Sequence, residues 1–343
     1  MLTEKTCLVL GAGASLDSGL PDGKKLMCLL AQCANHGADH NDFIVCQWIM
    51  EKTKIDVSKL RGVLLAFAHQ LQYSFAPSLD EFIAANKAEY YEDIAKLAIL
   101  WVIGRCEIKE LVFKWDRPLT EKHLKFPVQN WSQDLWWKII GGCDSLDLFQ
   151  KSLSNLTILT FNYDRSLEYF LHQCAKNYFG SEQEIDRIFK ENFYIGHVYG
   201  QIGYLEWQSN EKDLVRTYDY QLTSITAASA IKIADSIRTF NEIKTYDRMV
   251  GIVKNLNEIA NRFTTADTLH FLGFGYHDQN MRLFSSEFIN PPVSDQLKMG
   301  GTVFKLSESN KTKATAHLHK WAGNVKKMNF IDQEISEYIK AYF

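Results

Sequence analysis

Three short stretches of this chain carry residue types suited to chemistry. In the first, the apolar run Leu8-Val9-Leu10 is followed by Gly11, Ala12, Gly13 and Ser15, and Asp22 precedes a helical pattern. Glycine lets a backbone turn tightly and approach a ligand, and the N–H groups at a helix start attract anions. A strand, a glycine loop and a helix in that order are suited to the pyrophosphate of a dinucleotide. The fingerprint G-x-G-x-x-G/A is only partly met, because Leu16 holds its last position, and an ordinary strand-to-helix turn has the same pattern. No Gly-Lys-Ser/Thr follows, so the loop is not a P-loop. In the second stretch, Thr160-Phe161-Asn162-Tyr163-Asp164, an asparagine stands where a strand should end. Asparagine orients water or a hydroxyl without adding charge. Asp164 is also placed to cap the helix begun by RSLEYFLHQCAK. The third stretch contributes His197, whose residue type accepts a proton near neutral pH. A buried histidine satisfied by backbone is its alternative.

These residues need elements to position them. Apolar β-like runs recur at residues 6–10, 157–161, 193–198, 268–274 and 302–306, with a sixth at 325–331. Continuous apolar runs suit strands buried on both faces, as in a parallel sheet. Helical patterns follow most of them, at 23–33, 164–176, 278–288, 307–321 and 332–343. The alternation predicts a doubly wound, Rossmann-like α/β fold: a mostly parallel sheet of about six strands with large helical insertions. Residues 1–35 and 150–343 are assigned to the sheet domain, with a helical insertion at about 208–262. Residues 36–149 are assigned to a helical insertion domain over one end of the sheet. Within it, Ser78-Leu79-Asp80-Glu81 has the capping-box pattern, and helices are expected at 89–111 and 131–140.

Composition narrows the function classes. The chain has 343 residues, 46% hydrophobic and 23% charged, a globular balance with room for about two domains. A net charge of -3 gives no strong attraction to nucleic acid or to an anionic membrane. Seven irregularly spaced cysteines fit a reducing compartment better than a disulfide framework. No signal peptide is expected before the first strand, and the apolar stretch at 97–103 is too short to span a bilayer. The expectation is a cytoplasmic protein.

The segment from Gly11 to Asp22, GAGASLDSGLPD, resembles the opening motif of the sirtuins, a family that wraps NAD and cleaves its nicotinamide–ribose bond. Two further segments match in order. Thr160-x-Asn162-x-Asp164 resembles the family's Thr-x-Asn-x-Asp, and His197-Val198-Tyr199-Gly200 resembles its catalytic His-Gly segment. Leu272-Gly273-Phe274-Gly275-Tyr276 stands where the family has a glycine-containing loop after a later strand. The departures matter too. Sirtuin deacylases hold zinc on paired Cys-x-x-Cys motifs, and this chain has none; Cys28 and Cys33 are too far apart for that ribbon. Gly23-Lys24 replaces the deacylases' Phe-Arg. The chain is more similar to the sirtuin-like NAD-hydrolysing domains of prokaryotic antiphage systems.

That resemblance implies hydrolysis of NAD to ADP-ribose and nicotinamide, with NAD as substrate and no zinc. It implies Asn162 and His197 as catalytic residues. Gly11, Ala12, Gly13, Ser15, Asp22, Asp164, Gly273, Gly275 and Tyr276 are then expected to bind the dinucleotide. Nicotinamide leaves NAD as a neutral group, so the step needs no acid, only a held ribose, one placed water and a proton acceptor. A homo-oligomer is expected, with a DNA-translocating ATPase or an Argonaute-type protein as partner. The aromatic positions Trp101 and 131–137 are the expected contact surface. Two other classes use the same cradle: a dehydrogenase, which leaves the dinucleotide whole, and a non-catalytic NAD or ADP-ribose sensor. His270 is expected to pack within its strand, and His317 and His319 to point to different sides of a helix.

Overall fold

A computed structural model describes residues 1–40, 42–108, 112, 130–218, 222–238, 258, 261–283, 296–304, 306–322 and 327–343. Its centre is a six-stranded, fully parallel sheet: β1 (Thr6–Leu10), β2 (Leu156–Thr160), β3 (Tyr194–His197), β4 (Thr268–Leu272), β5 (Lys298–Thr302) and β6 (Lys327–Ile331). The spatial order is β3-β2-β1-β4-β5-β6. The chain therefore winds outward from β1 in one direction, returns, and winds outward in the other. Between β1 and β4 the connections diverge, the switch point of strand order beside which open α/β sheets bind ligands at their carboxyl ends.

Strand alternation explains why the central runs are apolar throughout. Cys7 and Val9 face one layer, with Leu159, Leu269 and Phe271 beside them. Leu8 and Leu10 face the other, beside Leu156 and Ile158. The second face is covered by α6 (Trp131–Ile140), α7 (Leu146–Ser154), α8 (Ser166–Phe179), α9 (Glu182–Asn192) and α13 (Ile335–Tyr342). The first is covered by α11 (Asp278–Leu283) and α12 (Glu308–Ala322), through Met281, Ala314 and Leu318.

A separate apolar core joins α1 (Gly23–Asp39), α2 (Ile44–Thr53), α3 (Val57–Tyr73), α4 (Leu79–Ala85), α5 (Tyr91–Cys106) and α10 (Ala227–Asp235). The stretch at 97–103 lies in α5, which is buried from Ile94 to Gly104 and forms the axis of this helical body. Tyr163, from the loop after β2, packs on the same core, so the body sits against the carboxyl end of the sheet. The Ser78 hydroxyl accepts from the Glu81 N–H at 3.1 Å, the expected cap of α4. Among the described residues, no helix is long and apolar enough to cross a membrane.

Three expectations change. The fifth strand is Lys298–Thr302, not 302–306. Its Gly300 and Gly301 hide the strand from a propensity reading, yet glycine is what fits. A Cβ on Gly300 would collide with the Tyr338 hydroxyl, and one on Gly301 would lie 2.5 Å from the Phe271 carbonyl oxygen. The division of the chain also moves. α1 belongs to the helical body, whereas α6 and α7, assigned to the insertion, pack on the sheet. Finally, Trp101, Trp131 and Trp136 are buried, so of the expected aromatic contact surface Trp137 alone is exposed. Of the helical stretch expected at 208–262, residues 219–221, 239–257 and 259–260 lie outside the described residues, as do 284–288 of the one at 278–288.

Candidate functional site

The loop after β1 is a 3₁₀ turn, Ala12–Ser18, closed by Gly19 in the left-handed region. It lies against the loop after β4. The Gly11 N–H donates to the Leu272 carbonyl at 3.1 Å, and the Gly13 N–H to the Gly273 carbonyl at 3.0 Å. A Cβ on Gly11 would come within 2.6 Å of the Gly273 oxygen, and one on Gly13 within 2.8 Å. Gly273 itself has φ +57°. The paired glycines thus let the two backbones meet beyond the carboxyl ends of β1 and β4. This is a different use from the phosphate contact expected of them, because the Gly11 and Gly13 N–H groups already donate to the β4 side.

Asn162, two residues beyond β2, reaches back over this turn. Its Nδ2 donates to the Gly11 carbonyl at 2.9 Å and to Ser15 Oγ at 2.8 Å. Ser15 Oγ in turn donates to Asp164 Oδ2 at 2.7 Å, while Asp164 Oδ1 accepts from the Ser166 N–H at 3.0 Å. Asp164 therefore does both things its position allows: it holds the start of α8 and binds the glycine loop. Burial raises its pKa, against the opposing hydrogen bonds from Ser166 and Ser15.

The side chain of His197, the last residue of β3, is also buried. Its Nδ1 lies 2.8 Å from the Asn162 carbonyl and its Nε2 2.8 Å from Glu168 Oε1. A carbonyl only accepts, so Nδ1 carries a proton. Burial disfavours the imidazolium, but the charge and hydrogen bond of Glu168, with the Asn162 carbonyl, outweigh it and raise the pKa above 6.5. The ring expected to offer a nitrogen to substrate has both nitrogens engaged in this arrangement.

Ser15, Asn162, Asp164 and Glu168 line a small cavity with Thr160 and Trp131. Its volume is about 20 Å³, the room of one water molecule. Trp131 closes one side, its Nε1–H donating to the Ala14 carbonyl at 2.7 Å.

Behind this layer lies a buried charge network. Glu107 accepts from the backbone N–H of Arg165 at 2.9 Å and from its Nε at 3.2 Å, and it also pairs with Arg216. Burial works to raise the Glu107 pKa, but Arg165 and Arg216 overcome it and hold the carboxyl below its usual range. Burial, together with Arg165, brings Arg216 down to about 10. Arg165 follows Asp164 directly, so the network anchors the Asn162 segment to the end of α5 and to the segment around Arg216.

The structure brings together Gly11, Ser15, Asn162, Asp164 and His197. It places Ala12, Gly13 and Gly273 at the neighbouring loop contact, with Gly275 next to it. Two expected ligand-binding residues lie elsewhere. Asp22 is an exposed cap of α1, its Oδ1 accepting from the Lys25 N–H at 2.8 Å. Tyr276, at φ 51°, is buried among Phe271, Phe274 and Phe330, and its hydroxyl donates to the Thr302 carbonyl at 3.3 Å. Sequence reasoning missed Glu168 and the Glu107 network. The signal for Glu168 was present: it shares a helix stripe with Leu171 and Ala175, where an apolar residue is the rule. The Glu107 network joins residues far apart in sequence and left no local signal. Among the described residues, no group of three His, Cys, Asp or Glu side chains converges as a metal site. Compared with protein-family models and with curated proteins, the chain matches none.

Proposed function

We propose that this protein hydrolyses NAD to ADP-ribose and nicotinamide, as the effector of a prokaryotic antiphage system. One observation carries the reading: Asn162, anchored on Gly11 and Ser15, stands beside a buried histidine–carboxylate pair at the carboxyl end of a parallel sheet. That is the place where an open α/β sheet binds ligands. Asn162 is suited to orient a ribose hydroxyl or a water, and the His197–Glu168 pair to take up the proton that hydrolysis releases. The sirtuin-like motif order supports the same chemistry. The test is incubation of the purified chain with NAD and detection of nicotinamide. Nicotinamide with ADP-ribose in equal amount is the expected result; intact NAD in every assembly state overturns it.

A second reading, a non-catalytic NAD or ADP-ribose sensor, draws on the small cavity and the fully engaged His197. Saturable binding with no turnover would favour it. A dehydrogenase would leave NAD whole and reduce it.

A further inference from the structure

We propose that Glu168 is the proton acceptor of this site and that His197 serves it as a positioning residue, an assignment that rests on the NAD-hydrolysis reading. Three observations carry it. First, His197 offers no nitrogen to a substrate: Nδ1 is held by the Asn162 carbonyl and Nε2 by Glu168. Second, the cavity beside Asn162 is lined by Glu168, together with Ser15, Asp164 and Thr160, and His197 is not among its lining residues. Third, His197 engages Oε1 of Glu168, and Oε2 is a second acceptor on the same carboxylate. With its Nδ1 proton directed to the Asn162 carbonyl, His197 meets Glu168 through Nε2 and fixes the carboxylate at the wall of the cavity.

The step balances without a further reactant. A water beside Asn162 bonds through its oxygen to C1′ of the nicotinamide-bearing ribose as one of its protons passes to Glu168. The bond from C1′ to the pyridinium nitrogen breaks, and its electron pair leaves with nicotinamide, which departs neutral. Glu168 then releases its proton to solvent, and His197 keeps both of its own. ADP-ribose, nicotinamide and one proton result from NAD and water.

The experiment compares Glu168→Gln, Glu168→Asp and His197→Asn with the unchanged chain, by nicotinamide release across a pH series and by thermal melting. Glu168→Gln should lower kcat by about 10²–10⁴-fold with KM within about 3-fold, and change the shape of the pH profile. Glu168→Asp should restore at least about 10-fold of that loss, and His197→Asn should retain more turnover than Glu168→Gln, with a pH profile displaced from that of the unchanged chain. Full turnover in Glu168→Gln, or greater loss in His197→Asn than in Glu168→Gln, overturns the assignment and leaves NAD hydrolysis standing. No nicotinamide from the unchanged chain defeats the hydrolysis reading itself. Should the Glu168 variants fail to fold, ¹⁵N resonances of the unchanged chain decide. Imidazolium signals for His197 at neutral pH are expected, and a neutral ring with an unprotonated Nε2 overturns the proposal.

Discussion

Asn162 holds the glycine turn with two donated hydrogen bonds from one amide, so its removal has a structural effect and a chemical one. Asn162→Ala should cost about 1–3 kcal/mol of stability, because Gly11 and Ser15 lose a partner. It should also lower nicotinamide release by at least about 10²-fold. Melting and turnover on the same preparation check both, and unchanged turnover would remove Asn162 from the active site. His270 gives a cleaner test of pH dependence. It is buried in β4 with Nδ1 2.9 Å from the Tyr338 hydroxyl, and burial lowers its pKa from 6.5 to about 4. The fold thus favours the neutral ring. Stability from His270 is full above about 6.5 and declines as pH falls toward about 4, by about 3 kcal/mol in all. His197 acts with the opposite sign. Its raised pKa adds stability that is full below 6.5 and is lost as pH rises through the raised value. Urea midpoints from neutral to acid pH should therefore fall in the unchanged chain and fall less in His270→Asn. Equal slopes would show that His270 contributes nothing to acid lability.

At the level of elements, the site depends on loops that touch backbone to backbone. Gly13→Val reads from the sequence as a block to an incoming phosphate. In the fold its first effect is to force the β1 loop from Gly273, so it should lower stability before it lowers NAD affinity. Gly200 follows His197 by three residues, at φ +77°, and a Cβ there would run into the Ser236 carbonyl. Gly200→Ala should cost about 2 kcal/mol or more, from left-handed strain and that collision together. A melting temperature within error of the parent would contradict the turn geometry. The Glu107 network is tested in the same way. Glu107→Gln leaves two buried guanidinium groups facing a neutral amide, and about 3–5 kcal/mol is the expected loss.

At the scale of the molecule, the helical core and the sheet meet at Tyr163, the chain neighbour of Asn162. An unregulated NAD hydrolase would exhaust a central cofactor, and we propose that assembly sets the turnover. Three of the tryptophans first assigned to a contact surface are interior, which leaves Trp137 and other exposed aromatic residues such as Tyr73 and Tyr178 for partners. Sedimentation should detect a homo-oligomer whose turnover rises when a partner ATPase or Argonaute-type protein is supplied. A stable monomer at full rate, indifferent to partners, would defeat this proposal.

The sequence by itself determined the class of the fold and pointed to the carboxyl ends of its strands for the candidate site. Apolar runs alternating with amphipathic stretches admit few arrangements, and a strand followed by Gly11-x-Gly13 or by Asn162 announces its own carboxyl end. These are local signals, written within about ten residues of each other. What only the tertiary structure decided depends on neighbours distant in the chain. Gly300 and Gly301 are strand residues because Tyr338 and Phe271 occupy the space beside them. Tyr276 is core rather than cradle because Phe271, Phe274 and Phe330 surround it. His197 is engaged at both nitrogens because β3 brings it to Glu168, 29 residues earlier. Residue type states what a side chain can do, but packing determines which partner has already taken its proton or its space.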